Sequence, residues 1–209
     1  MTDFNYKLES NLFPLIQDIK NIVILELGVQ NGRSTKKFLE ICKKNNGTLY
    51  SIDVDDCSVV SKDLNWKFYQ TRDDNFDFIK SKIPEKIDVL FIDTLHEADH
   101  VEKIIHGYYN LVKTDGYIFI DDISHLPYLK NSKRDNFYCE INNLETFKMI
   151  LRIYSNNFNN FDLNFNFVSS GLAILKKRNP NELNKKNDII LREYSIKNII
   201  RNLRNEILK

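Results

Sequence analysis

The sequence has few cysteines, almost no net charge and no long apolar run, and each shortage excludes a class of protein. Its three cysteines, Cys42, Cys57 and Cys139, form no C-x-x-C pair. This argues against a disulfide framework or a thiolate zinc site and favours a reducing compartment. Thirty basic residues against 29 acidic ones give a net charge of +1, so we expect no nucleic-acid partner. We also expect no membrane span and no signal peptide, and therefore a cytoplasmic protein.

The remaining composition is that of one globular domain. The 209 residues are 42% hydrophobic and 28% charged. Apolar runs alternate with helical segments from Ile22 to about Leu175, which predicts a parallel sheet with crossover helices. The predicted strands are Ile22–Leu27, Thr48–Val54, Trp66–Thr71, Ile87–Ile92, Tyr117–Ile120, Asp162–Val168 and Leu172–Lys176. The predicted helices between them are Asn31–Lys44, Phe76–Ile83, His96–Val112 and Leu144–Tyr154.

The second half of the chain is less regular. The polar segment His125–Cys139 contains Pro127 and the basic residues Lys130, Lys133 and Arg134, and its length predicts a lid or binding loop. We expect the domain to cover residues 1–178, with a helical segment over 1–20. An amphipathic helical tail over 179–209 should pack on the domain or form a homo-oligomer.

The first strand is followed by a glycine-containing turn with Glu26, Gly28, Gly32 and Ser34. Glycines let the backbone approach a ligand closely, and the following helix start suits an anionic group such as a carboxylate. Asp53 ends the second strand, where an acidic side chain can accept both hydroxyls of a ribose. Plain helix capping is the alternative explanation of such an acidic residue.

This pattern, E-L-G-x-x-x-G-x-S followed by Y-S-I-D, resembles motifs I and II of class I S-adenosylmethionine (SAM) methyltransferases over roughly residues 20–178. The resemblance implies SAM as cofactor and an α/β fold, a Rossmann-like doubly wound, mostly parallel seven-stranded sheet with the last strand antiparallel. It also implies that Glu26 organises the methionine amine and that the glycines line the methionine and ribose. Asp73 or Asp74 would then meet the adenine.

Three acidic residues end two further strands: Asp93 after the fourth, and Asp121 and Asp122 after the fifth. If these strands are neighbours, as the family's order implies, the carboxylates start only about 5 Å apart. Crowded carboxylates repel one another unless a cation or proton compensates, and Mg²⁺ prefers such oxygen ligands. Ordinary helix capping remains the alternative here as well.

The doubled aspartate, 28 residues beyond Asp93, resembles the metal site of macrocin-type macrolide-sugar O-methyltransferases. The Asp-x-x-His pattern from Asp93 to His96 resembles a wider group that includes cephalosporin-hydroxylase-like proteins. These resemblances imply metal-dependent O-methylation of a sugar hydroxyl on a small-molecule or glycan acceptor. Asp93 is the first candidate for ligand and base together, followed by His125 and His96. A metal-independent methyltransferase and a non-catalytic SAM-fold protein are the alternatives.

One motif points elsewhere. Residues 96–100 match H-E-x-x-H, the zinc-protease helix motif, which would place His96 and His100 on one helix face. A buried strand leads directly into it, and Lys103 stands where the extended motif requires glycine. We therefore disfavour a metalloprotease.

Overall fold

The computed structural model describes residues 3–125, 136–184, 187–191 and 195–207. The basic residues of the predicted lid loop, Lys130, Lys133 and Arg134, lie outside these ranges. Among the helices that are described, none has the length and apolar character needed to cross a membrane.

Seven strands and seven helices are described. The strands are β1 Val23–Leu27, β2 Thr48–Asp53, β3 Trp66–Gln70, β4 Ile87–Ile92, β5 Val112–Asp121, β6 Phe161–Asn166 and β7 Leu172–Lys177. The helices are α1 Asp3–Asn11, α2 Phe13–Ile16, α3 Arg33–Asn45, α4 Phe76–Lys80, α5 Ala98–Tyr108, α6 Phe137–Asn157 and α7 Ile196–Ile207. A 3₁₀ turn, Tyr109–Leu111, joins α5 to β5.

The strands form one sheet in the order β3-β2-β1-β4-β5-β7-β6. Neighbouring strands are parallel from β3 to β5, whereas β7 runs antiparallel to both β5 and β6. This confirms the predicted Rossmann-like sheet with its last strand antiparallel. Strands β2 and β3 are added on one side of β1, whereas β4 and β5 are added on its other side, so the strand order switches between β1 and β4. Ligands bind at the carboxyl ends of strands beside such a switch point.

Helices cover both faces of the sheet because its central strands carry apolar side chains in both directions. All six residues of β4 are buried. One core joins the sheet to α4, α5 and α6, with Ile79, Ile104 and Ile150 among its members. The other joins the sheet to α1, α2 and α3 through residues such as Leu8 and Phe38. The N-terminal helices therefore pack against the sheet.

Several predicted boundaries were wrong, among them the starts of β5, α5 and α6. Strand β5 begins at Val112, five residues before the predicted start at Tyr117. The residues predicted as a turn belong to the strand, where the pairing with β4 shifts register and Asp115 has a φ of 65°. Helix α5 begins at Ala98 rather than two residues earlier. Helix α6 begins at Phe137, inside the predicted loop, because the Asn136 side chain accepts a hydrogen bond from the Cys139 N–H and caps it.

Within the described part of the tail only Ile196–Ile207 is helical, as α7, and its apolar side chains are exposed. Ile196 is 76% exposed and Ile207 is 82% exposed. The homo-oligomer through this helix remains a prediction.

Candidate active site

A cavity of about 690 Å³ opens at the carboxyl edge of the sheet. Its wall includes Gly28, Asp53, Asp93 and Asp121, which lie at the ends of β1, β2, β4 and β5. Four residues predicted from the sequence to belong to one site are thus brought together. The reason is that the carboxyl ends of parallel strands meet at one edge of a sheet.

The glycine turn is packed tightly against the end of β4. Gly28 has a φ of 94°, and a Cβ at this position would lie 1.7 Å from the carbonyl oxygen of Asp93. Only glycine fits such a close approach at a positive φ. Gly32, with a φ of 74°, faces Val60 and shapes the start of α3. The two glycines therefore have different roles: the first lines the cavity and the second supports the turn.

Asp53 braces the same turn from the end of β2. Its Oδ2 accepts hydrogen bonds from the backbone N–H groups of Val29 (2.8 Å) and Gln30 (3.0 Å), and its Oδ1 accepts one from Asp55 (3.0 Å). Burial alone would raise the pKa of Asp53, but these donors outweigh it and lower the pKa. Asp53 is thus an ionised side chain on the cavity wall, and three backbone donors leave one lone pair of its Oδ1 for a ligand.

Glu26 lies beneath the cavity floor and is fully buried. Its carboxylate accepts hydrogen bonds from the hydroxyls of Ser34 (2.6 Å), Thr35 (2.8 Å) and Ser51 (2.6 Å). Burial raises the pKa of Glu26 to about 7, although the three hydroxyl donors oppose the rise. Ser34 also lines the cavity, so the structure places this hydroxyl between Glu26 and any ligand.

We expect Glu26→Gln to weaken the pH dependence of stability. The pKa of Glu26 rises on folding from 4.5 to about 7, so the folded state holds a proton that the unfolded state releases between these values. The contribution of Glu26 to the free energy of unfolding is fully present below the pKa of the unfolded state. About 3 kcal/mol of this free energy is lost as the pH rises to about 7. Denaturant unfolding across this range should show a smaller loss in the variant than in the wild type, since Asp121, whose pKa burial also raises, contributes to the loss in both. Parallel curves would contradict a protonated Glu26.

Of the two candidates after β3, Asp73 faces the cavity and Asp74 does not. The Oδ2 of Asp73 lies 2.8 Å from the Nε2 of His100, and its carbonyl accepts a hydrogen bond from the Tyr108 hydroxyl (2.6 Å). Asp74 pairs with Arg72 and Lys103, and these cations hold its pKa far below the usual range. Sequence reasoning missed the contact of Asp73 with His100.

The H-E-x-x-H interpretation is wrong. Helix α5 starts at Ala98, so His96 precedes the helix and does not share a face with His100. The two imidazoles contact different acids, His100 meeting Asp73 and His96 meeting Asp93. They therefore do not form a pair of zinc ligands.

His96 lies between two of the predicted metal-binding acids. Its Nε2 is 3.5 Å from the Oδ1 of Asp93 and 3.4 Å from the Oδ2 of Asp122. Burial lowers the pKa of His96, but the two carboxylates outweigh burial and raise it. His125 is exposed and packs against Phe147, with ring centroids 4.0 Å apart and the ring planes tilted by 34°. Of the two candidate histidines, only His96 lines the cavity among the described residues.

The third acid, Asp121, faces a lysine that sequence reasoning missed. Lys7 of α1 is fully buried, and its ammonium forms an ion pair with the Asp121 carboxylate and donates a hydrogen bond to the Ser170 hydroxyl (2.8 Å). Burial and the nearby Asp93 raise the pKa of Asp121, while Lys7 opposes the rise.

The predicted three-acid magnesium site does not fit this arrangement. In the described ranges, no three His, Cys, Asp or Glu side chains are placed so that they could share one metal ion. The physical reason is that the Oδ1 of Asp121 is already engaged by Lys7 and by the Asp122 N–H (2.8 Å). The other two acids face His96.

The strand order is that of a Rossmann-like methyltransferase fold, and the cavity lies at the carboxyl edge of its sheet. Residues 25–123 match the model of a family described as a methyltransferase domain. This segment, which runs from β1 to just beyond β5, is similar to a methyltransferase domain. No curated protein matched the sequence.

Solved structures share this fold at low sequence identity. MycE, a methyltransferase from the mycinamycin biosynthetic pathway in complex with Mg and SAH, is 21% identical with a TM-score of 0.60, covering 86% of this chain and 53% of MycE. A putative caffeoyl-CoA O-methyltransferase from Staphylococcus aureus is 17% identical with a TM-score of 0.61, covering 85% and 84%. The chain spans about half the length of MycE.

Proposed function

We propose that the chain transfers the methyl group of SAM to a hydroxyl oxygen of a small polar acceptor, a sugar hydroxyl being the class we favour. The observation that carries this proposal is His96, which faces the cavity between two carboxylates. A histidine in such a place suits removal of a hydroxyl proton. MycE, which has also been solved with mycinamycin VI, supports the choice of acceptor.

SAM would lie across the end of the β1 strand. Asp53 keeps one lone pair, on Oδ1, that can accept a ribose hydroxyl, and Asp73 would stand on the adenine side. The methionine carboxylate would face the N-terminal end of α3 beside Ser34, where backbone N–H groups favour an anion. This pose directs the sulfonium methyl group toward His96.

The chemistry then needs one base and one aligned displacement. Neutral His96 carries its proton on Nε2, which faces the two carboxylates, so Nδ1 takes the proton from the acceptor hydroxyl, and the oxygen forms a bond to the SAM methyl carbon as the carbon–sulfur bond breaks. S-adenosylhomocysteine (SAH) and the methyl ether are the products. Asp93 and Asp122 stabilise the imidazolium that forms, because each carboxylate lies within 3.5 Å of Nε2. Holding donor and acceptor in line supplies the remaining rate enhancement.

No step of this mechanism uses a divalent ion. Asp121 is one of the three acids that the sequence pattern assigns to magnesium, with Asp93 and Asp122, and its carboxylate is engaged by the buried Lys7. We therefore favour the metal-independent alternative.

A methyl-transfer assay tests this function. With SAM carrying a tritiated methyl group, we expect label to enter the hydroxyl oxygens of a glycoside panel, at the same rate with and without EDTA. Catechol and a primary amine serve as acceptors of other classes. Transfer restricted to those two would refute the sugar acceptor. Loss of transfer in EDTA that Mg²⁺ restores would refute the metal-independent mechanism.

A further inference from the structure

Lys7 is fully buried next to the carboxyl edge of the sheet, and full burial is rare for a lysine. Its ammonium pairs with Asp121, donates to the Ser170 hydroxyl, and lies 3.5 Å from the carbonyl oxygen of Gly171. It also lies 5.1 Å from the centroid of the Phe4 ring, which lines the cavity. The ammonium thus has an anionic, a polar and an aromatic partner.

Helix α1 is fixed in a way that holds this lysine at the sheet edge. Leu8 and Leu12 are buried in the core on the α3 side of the sheet. The Asn11 side chain donates to the Lys7 carbonyl (3.0 Å) and accepts from the Asn166 side chain (2.7 Å) at the end of β6. The helix is therefore tied to both the core and the last hairpin, which limits its freedom to withdraw Lys7.

The partners of the three acids account for the cluster without an added ion. Lys7 faces Asp121, while His96 faces Asp93 and Asp122. Crowded carboxylates at an apolar edge need such compensation. A divalent ion that used Asp121 would have to displace an ammonium that is already desolvated and hydrogen-bonded.

We infer that Lys7 is the built-in cation of this site: it fills, at Asp121, the charge-neutralising position that the macrocin-type pattern assigns to a divalent ion. Lys7 is a positioning residue: its ammonium holds the Asp121 carboxylate in place, so that Asp93 and Asp122 remain available to stabilise the charged form of His96. The inference rests on the proposed function for the role of His96. Its metal measurement, however, needs neither SAM nor acceptor.

The test is Mn²⁺ binding to the full chain. Calorimetry measures the affinity, and the rise in melting temperature that the metal causes gives a second measure. The wild type should bind Mn²⁺ only weakly. Lys7→Ala leaves Asp121 without its cation and should bind at least tenfold more tightly, with a larger thermal shift. If that variant does not fold, Lys7→Gln keeps a hydrogen-bond donor without the charge and should show the same gain.

Lys177→Ala is the matched control. Lys177 is also buried, but its ammonium donates to the carbonyls of Tyr109 and Val112 (both 2.9 Å), away from the cavity. Its removal should lower stability and leave Mn²⁺ affinity at the wild-type value. Stoichiometric micromolar binding by the wild type, or equal affinity in the two lysine variants, would overturn the inference. A failed methyl-transfer assay beside the expected Mn²⁺ result would count only against the proposed function.

Discussion

Replacing His96 with glutamine is expected to lower kcat by about 10²- to 10⁴-fold, the usual contribution of a general base. The affinity for SAM should stay near the wild-type value, because His96 contacts Asp93 and Asp122 and not the glycine turn. Single-turnover methyl transfer and SAM calorimetry measure the two quantities separately.

His106→Gln is the matched control for this experiment. His106 lies on α5, where it contacts Glu102 and lines a different pocket. Its replacement should leave kcat unchanged. Activity retained in His96→Gln, or lost equally in both variants, would contradict the assignment of His96 as the base.

The pH profile gives a second test of the same residue. The reaction needs neutral His96, and its neighbours raise its pKa above the ordinary value of 6.5. The rate should therefore increase with pH through a pKa above that value. Asp122→Asn removes one of the carboxylates that raise the pKa, so the rising limb should move to lower pH. A limb that stays in place would show that another group titrates.

Gly28→Ala should abolish SAM binding and cost about 2 to 5 kcal/mol of stability. The added methyl group would lie 1.7 Å from the carbonyl oxygen of Asp93, and a φ of 94° strains any residue with a Cβ. The turn must therefore move away from the end of β4. Denaturant unfolding gives the stability, and calorimetry gives the affinity for SAM.

Gly116→Ala separates general strain from damage to the cavity. A Cβ at Gly116 would lie 2.8 Å from the carbonyl oxygen of Asp88, at the opposite edge of the sheet. This variant should lose stability yet bind SAM normally when folded. Wild-type SAM affinity in Gly28→Ala would contradict a cofactor site at this turn.

The site residues that could be predicted from the sequence are those at the ends of strands. Asp53 and Asp93 follow apolar strands, and the ends of parallel strands meet at one edge whatever the loops do. Helix boundaries were less predictable. His96 was placed on a helix, although Glu97 is extended, with φ −101° and ψ 131°, and frees His96 to face the acids.

The ion pair of Lys7 with Asp121 could not be predicted, since 114 residues separate the partners. Lysine is ordinarily exposed, so local pattern gives no reason to bury it. One signal was present: Lys7 lies between Phe4 and Leu8 on the apolar side of the first helix. A lone charge in such a stripe indicates a buried partner elsewhere in the fold.

We expect SAM to bind at the Gly28 turn with its methyl group directed at His96. A crystal structure of the complex with SAH tests it most directly. We predict a ribose hydroxyl within hydrogen-bonding distance of Asp53 and the sulfur atom facing His96 across the cavity. SAH bound outside this cavity, or seated with its sulfur turned away from His96, would contradict the account.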